Sequence, residues 1–152
     1  MSDAERLERV YREHASGLFR SLVAYSGNPD IAADALAEAF AQALRRGPAV
    51  REVERWVWKA AFRIAAGQLK EGHVRGRPAS EASYEMPDDA VVMVSLLRTL
   101  PPKQRAAIVL HYYADLSNSR IAEVLGITTA TVRVHLSQGR KRLKRLLEGS
   151  DD

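Results

Sequence analysis

A basic segment near the C-terminus contains residue types suited to contact with a polyanion. Between residues 128 and 147 there is no Asp or Glu, and there are six Lys or Arg: Arg133, Arg140, Lys141, Arg142, Lys144 and Arg145. The rest of the 152-residue chain carries slightly more acidic than basic residues, so the net charge of +4 originates in this segment. A basic element beside a mildly acidic body indicates an anionic polymer as one partner and a protein as the other.

The residues around this segment have the spacing of a helix-turn-helix. Ser117 is placed to cap a helix over 118–125, Ala122 is small enough for a second helix to cross, and Gly126 permits a left-handed turn. Thr128 caps the second helix. The apolar positions of that helix, which we expect to face inward, are Val132, Leu136, Leu143 and Leu147.

The outer face of the second helix predicts a surface that reads DNA. The residues offered to a major groove are Thr129, Ala130, Arg133, Val134 and Ser137. Thr131, Arg140 and Lys141 lie where they would hold phosphates. Gly139 departs from the pattern and is expected to weaken the helix by up to about 1 kcal/mol. The alternative is a hairpin with a solvated basic face, but the coincidence of all these features favours DNA binding.

The whole chain has the periodicity of helices, and residues 72–89 separate two helical parts. Helices are predicted from about residue 3, from Pro29 to the Gly47-Pro48 stop, over 55–70, and again after residue 90. Residues 72–89 are rich in Gly, Pro, Ser and Glu and lack periodicity, which is typical of a flexible linker. The prediction is an all-α protein with two small helical domains, 1–71 and 90–149, joined by that linker.

Composition excludes several classes of function. The chain has no cysteine, which removes disulfides, thiol catalysis and Cys-based zinc sites. Its four histidines are scattered, and neither a Gly-rich phosphate loop nor a nucleophile-and-base arrangement is present. We therefore expect no enzyme, no metal site and no cofactor. A charged N-terminus and the lack of a long apolar run predict a cytoplasmic protein without membrane insertion.

Two charged faces stand out in the N-terminal half. Asp30, Asp34 and Glu38 form an acidic stripe on one helix, with Arg45 alone to complement it, and this predicts a surface for a basic partner. On the following helix the basic side chains share one face, with Trp56 at its edge: Arg55, Lys59, Arg63 and Lys70. Cations beside an aromatic platform suit single-stranded or melting DNA. The alternatives are a solvated acidic face and a Trp56 that packs in the core.

The C-terminal sequence resembles a known family. "LRTLPPKQRAAIVLHYYADLSNSRIAEVLGITTATVRVHLSQGRKRLKRLL" is similar to region 4 of the extracytoplasmic-function (group 4) sigma factors of the sigma-70 family. In that family the second helix of the motif reads the −35 promoter element, and the domain docks on the flap of the RNA polymerase β subunit. The resemblance therefore implies that the residues named above contact −35 DNA together with Thr128, and that residues 5–70 correspond to region 2.

The N-terminal half is similar to region 2 of that family. "DALAEAF" (34–40) resembles the family's "DLVQETF", which grips the β′ clamp helices, although Ala37 replaces the usual glutamine. "RWVWKAAFRIAAGQL" (55–69) resembles the helix that captures the −10 element together with the loop before it, although Arg63 and Gly67 replace the usual Asn and Asp. Together, the charged faces and the resemblance predict polymerase binding by Asp30, Asp34 and Glu38, and −10 contacts by Arg55, Trp56, Lys59, Arg63 and Lys70.

The predicted function is that of an alternative sigma factor, which binds core RNA polymerase and directs it to promoter DNA. An anti-sigma factor is a possible further partner that the sequence alone does not identify. The alternative function is a stand-alone helix-turn-helix regulator in which residues 1–70 form a sensor or dimerisation domain. The acidic stripe and the linker favour the sigma factor.

Overall fold

The protein is helical throughout the part that its computed structural model describes, residues 1–72 and 88–149. Seven α-helices lie in these ranges: α1 (Asp3–Ser26), α2 (Pro29–Arg46), α3 (Val53–Lys70), α4 (Asp88–Leu97), α5 (Pro102–Tyr112), α6 (Asn118–Leu125) and α7 (Thr129–Leu147). A 3-10 turn, Gly47–Ala49, follows α2. No strand occurs in the described ranges, and the all-α prediction is confirmed. None of these helices is long and apolar enough to cross a membrane.

The first two helices begin where the sequence indicates. The backbone N–H of Glu5 donates to Ser2 Oγ at 3.1 Å, and Ser2 N–H donates to Glu5 Oε1 at 2.9 Å, which completes a capping box. Helix α1 ends at Gly27 in the left-handed conformation, with φ of 68°. Asn28 Oδ1 then accepts from the N–H of Asp30 at 2.8 Å, so α2 starts directly after this turn.

Most of the predicted linker, 72–89, lies outside the described residues. Its last two residues, Asp88 and Asp89, form the first turn of α4. Acidic side chains are favourable there because they face the positive end of the helix dipole. The C-terminal group of helices therefore begins at Asp88 rather than at residue 90.

Helices α1–α3 and helices α4–α7 pack against each other around one cluster of buried apolar side chains. Helix α5 contacts α1, and α6 contacts α3. Large, fully buried side chains of the cluster come from both groups, with Leu18, Leu22 and Ile31 from the first and Leu100, Leu110 and Ile121 from the second. The described residues thus place the region 2-like and region 4-like parts in direct contact.

Helices α5 and α7 pack tightly against each other at Gly139. A Cβ atom added at this buried glycine would lie 2.9 Å from Cγ1 of Ile108, closer than side chains pack in proteins. The glycine therefore has a packing role in addition to the helix-weakening effect expected from the sequence. The helix-propensity cost is offset by the fit of α7 against α5.

We expect Gly139→Ala to lower the free energy of unfolding by about 1–3 kcal/mol, since overpacking forces Ile108 or the helix backbone to move. Gly67→Ala in α3 is the matched control, because an added Cβ there has no neighbour within 4 Å. Because alanine lowers the backbone entropy of the unfolded chain, that variant should be more stable by up to about 1 kcal/mol. Urea unfolding of both variants measures the difference, and equal stabilisation would contradict a close contact at Gly139.

Candidate nucleic-acid and polymerase interfaces

Helices α6 and α7 form the predicted helix-turn-helix. Ser117 Oγ accepts from the N–H of Arg120 at 3.2 Å and caps α6. Gly126 has φ of 69°, and Ile127 N–H donates to Ala122 O at 3.0 Å, which closes the turn. Thr128 Oγ1 then accepts from the N–H of Thr131 at 3.1 Å and begins α7. Each capping residue expected from the sequence occupies its position.

The inner face of α7 holds it against the other helices. Val132 and Leu136 are buried, as is Gly139, and Leu143 is half-buried. Leu147 is 64% exposed, so the prediction that it faces inward is wrong. It lies in the last turn of α7, where one side of the helix borders an open groove rather than a packed core.

The residues predicted to read bases share the outer side of the N-terminal half of α7. The exposed members are Thr129, Ala130, Arg133, Val134 and Ser137, together with the phosphate candidate Lys141. Val134 is an apolar side chain that is 51% exposed on a basic face, and such a side chain suits contact with a thymine methyl group. This geometry presents a helix N-terminus, polar side chains and cations on one surface, as a major-groove reader requires.

Two of the predicted phosphate contacts are already engaged within the protein. Thr131 is half-buried, and its hydroxyl lies 2.8 Å from Thr128 Oγ1. Arg140 Nε donates to the Tyr112 hydroxyl at 2.7 Å, and its guanidinium lies 5.7 Å from the centre of that ring. Tyr112 thus orients a basic side chain of α7 from α5. This contact could not be predicted from the sequence, because the two residues are 28 positions apart.

The acidic stripe lies on the solvent side of α2. Asp34 and Glu38 are exposed, and Asp30 is half-buried in the first turn. Glu38 Oε2 accepts hydrogen bonds from Gln42 at 2.9 Å and Arg45 at 3.1 Å, and these bonds lower the pKa of the Glu38 carboxyl from its usual value. Glu38 is therefore held as a carboxylate, and Arg45 complements only the C-terminal end of the stripe.

The basic side chains of α3 lie on one exposed face, as predicted. Trp56 is neither fully exposed as a platform for DNA nor fully packed in the core. Arg55, Lys59, Arg63 and Lys70 are exposed. Trp56 is half-buried against the core, and the Arg46 guanidinium lies 5.5 Å from the centre of its ring. A ring held in this way has one part in the core and one part accessible beside the cations.

The basic face of α3 is turned toward α6. Arg55 Nη1 lies 3.4 Å from Glu123 Oε2, and Arg120 Nη1 lies 3.1 Å from Glu54 Oε2. Lys59, Arg63 and Lys70 line a cleft between α3 and the C-terminal group of helices. The arrangement of the described residues therefore brings the predicted −10 contacts close to the helix-turn-helix.

Sequence comparison gives a family match for the C-terminal helices. Residues 91–143 match the family described as "Sigma-70, region 4". The chain is 30% identical over 121 residues to an RNA polymerase sigma-E factor of Streptomyces avermitilis, covering 80% of this chain and 63% of the relative. It is 27% identical over 154 residues to the ECF RNA polymerase sigma factor SigM of Mycobacterium tuberculosis, covering 95% of this chain and 79% of that protein.

Solved structures share the fold at low sequence identity. The sigma factor RpoE of Bartonella quintana, solved in complex with the anti-sigma factor NepR, superposes with a TM-score of 0.74 at 20% identity, over 95% of this chain and 96% of that one. CnrH in complex with the cytosolic domain of CnrY gives a TM-score of 0.77 at 16% identity, over 98% and 91%. At this level of identity the likeness concerns the fold.

These matches identify the class of protein. Residues 91–143 match the sigma-70 region 4 family, and the chain as a whole is similar to RNA polymerase sigma factors, among them members of the extracytoplasmic-function group. The resemblance stated from the sequence is confirmed. The chain spans less than two thirds of the length of the Streptomyces relatives that it matches.

Proposed function

We propose that the protein is an alternative sigma factor that binds core RNA polymerase and directs it to specific promoters. The observation that carries the proposal is the helix-turn-helix of α6 and α7, whose outer face is basic and exposed, on a chain related to sigma factors from end to end. We place the protein in the cytoplasm and assign it no catalytic reaction, since its proposed work is binding. An anti-sigma factor is a proposed third partner, by analogy with the two complexes that share the fold.

The −35 element is the proposed ligand of α7. Arg133 has the length and donors to bind a guanine edge, while Thr129, Ala130, Val134 and Ser137 border it on the same surface. Lys141 and Arg140 extend this surface along the helix toward the phosphates, with Thr128 and Thr131 at its N-terminal end.

Core polymerase is the proposed partner of two other surfaces. The acidic stripe of α2 (Asp30, Asp34, Glu38) suits a basic surface, which we assign to the β′ clamp helices. An apolar groove of about 630 Å³ between α4, α5 and α7 is the proposed seat of the β flap, and its walls include Met93, Leu97, Ile108, Leu143 and Leu147. Exposed Leu147 then has a role at the rim of this groove.

The −10 element is the proposed ligand of α3 and the loop before it. In sigma factors this loop forms a pocket for a flipped base, but Val50 and Val53 are buried here at 3% and 9% exposure. The loop therefore offers mainly Arg51 and Glu52 to DNA, and we propose relaxed −10 selectivity with phosphate contacts from Lys59, Arg63 and Lys70.

A loop exchange tests this division of roles. Replacing Pro48, Ala49, Arg51 and Glu52 with the residues of a related sigma factor, while retaining Val50 and Val53, should transfer the donor's −10 preference. Arg63→Ala should lower promoter opening at every promoter alike, because a phosphate contact carries no base information. Permanganate footprinting on a set of −10 variants measures both effects. The assignment would be contradicted if Arg63→Ala changed the −10 base preference and the loop exchange left it unchanged.

Association with polymerase tests the proposed function itself. The full chain should co-elute with core RNA polymerase in gel filtration as a one-to-one complex. A stand-alone regulator would instead elute separately from the polymerase and bind its operator without it.

A further inference from the structure

A cleft of about 630 Å³ lies between the two groups of helices. One wall is α3, with Phe62, Ala66 and Leu69, and the opposite wall is formed by α5 and the end of α6, with Leu125 among its apolar residues. Cavities of ~300–1,000 Å³ with apolar walls and a few polar groups are the usual sites of small organic ligands. The size and shape of this cleft place it in that class.

The charge on the cleft has a single sign. Its described lining contains no Asp or Glu and six basic side chains: Lys59, Arg63, Lys70, Arg98, Lys103 and Arg105. Elsewhere between the two groups, cations are matched by carboxylates, as in the 3.1 Å pair of Arg120 with Glu54. Among the described residues, the cleft is thus a cationic patch without a carboxylate, within an interface that otherwise forms ion pairs.

Arg105 makes this imbalance most pronounced, because it is only 7% exposed. Its Nη1 donates to Tyr25 O at 3.0 Å and its Nη2 to Leu100 O at 3.3 Å, while Nε has no hydrogen-bond partner among the described residues. Burial lowers the pKa of this guanidinium, the Tyr25 hydroxyl opposes that shift, and neighbouring Arg98 adds to it. No described carboxylate contributes to its neutralisation.

A buried cation without a counter-ion is costly, since two carbonyl oxygens and the face of Tyr25 replace only part of its hydration. An anion in the cleft would supply the missing opposite charge in a partly desolvated site, where charge pairing is stronger than at an open surface. The apolar walls would at the same time bury a hydrophobic part of that anion.

We propose that this cleft is a binding site for a small amphipathic anion: an organic molecule with an aromatic or aliphatic body and a phosphate-like group of two negative charges. Its anionic group lies among the cations beside Arg105, and its body packs between Phe62 and Leu125. A ligand seated there touches both groups of helices and holds them together.

Occupancy of the cleft would oppose promoter binding, a consequence that rests on the function proposed above. Lys59, Arg63 and Lys70 line the cleft and are also the proposed −10 contacts, so the ligand and the −10 strand compete for them. The site itself needs only the cleft, and its occupancy can be measured without DNA or polymerase.

Isothermal titration of the full chain with 1-naphthyl phosphate tests the site. We expect one molecule to bind per chain, and inorganic phosphate or 1-naphthol alone to bind at least about tenfold more weakly, because each lacks one of the two interactions. Lys103→Glu should weaken binding by about tenfold or more through like-charge repulsion. Lys103 is exposed in the first turn of α5, where an acidic side chain is compatible with the helix.

Arg12→Glu on α1 is the matched control, since it makes the same charge change at an exposed residue outside the cleft lining. It should leave the affinity for 1-naphthyl phosphate unchanged. Absence of binding, equal weakening by both variants, or inorganic phosphate binding as tightly as the aromatic phosphate would each overturn the proposal. So would binding of an acidic peptide by a protein that does not bind 1-naphthyl phosphate, since the cleft would then be a protein interface.

Discussion

Reversal of two charges on α2, Asp34→Lys with Glu38→Lys, is expected to abolish binding to core RNA polymerase. Both side chains are exposed and Glu38 is held as a carboxylate, so the change replaces attraction by repulsion toward a basic partner. Like charges brought together at an interface cost several kcal/mol, on the order of a thousandfold in affinity. Fluorescence anisotropy of the labelled protein titrated with core polymerase measures the loss.

The control is a second double reversal, Glu8→Lys with Glu13→Lys, on the exposed side of α1. It makes the same change in net charge without touching α2 and should leave polymerase affinity nearly unchanged. Circular dichroism of both variants should retain the helical signal. Unchanged polymerase binding by the α2 variant, or equal loss in both variants, would remove the acidic stripe as a docking surface.

Removal of Arg133 should have the second-largest effect. Arg133→Ala is expected to weaken binding to the preferred −35 sequence by about 1–3 kcal/mol and to relax base preference at one position, since a bidentate contact with a base edge is lost. Lys141→Ala should weaken all −35 variants alike and reduce the dependence of affinity on salt concentration, as removal of one phosphate contact does. Binding of the polymerase holoenzyme to a set of −35 variants at two salt concentrations distinguishes the two.

Arg12→Ala is the matched control, because it removes the same charge from an exposed residue of α1 outside the proposed reading surface. Its effect on −35 preference should be small. Identical profiles for Arg133→Ala and Lys141→Ala across the variants would show that the division into base-reading and phosphate-holding residues is wrong.

The parts of the fold that could be predicted from the sequence depend on contacts between neighbours along the chain. Ser2 with Glu5, Asn28 with Pro29, and Thr128 with Thr131 act over three residues or fewer, and each begins a helix where expected. The helix-turn-helix belongs to the same group, because Ala122, Gly126 and Ile127 form their turn within six residues. The stripes on α2 and α3 follow from helical geometry alone.

The features that were missed depend on residues distant in sequence. Gly139 has a packing role only because Ile108 of α5 crosses it, and Leu147 is exposed because the groove beside α7 is open at that end. Arg105 contacts the carbonyl of Tyr25, 80 positions away. Helical periodicity identifies the side of a helix that is covered, but it does not identify the element that covers it. Both the cleft and the Tyr112–Arg140 contact depend on which helices pack against each other.

Transcription by reconstituted polymerase tests the central claim most directly. Core RNA polymerase mixed with the purified chain and a randomised promoter library should yield transcripts whose templates share a −35 and a −10 element. Core polymerase alone should yield none of these transcripts, and the Asp34→Lys, Glu38→Lys variant should yield few. Transcripts that do not depend on the protein, or a protein that binds library DNA tightly yet never directs initiation, would contradict its function as a sigma factor.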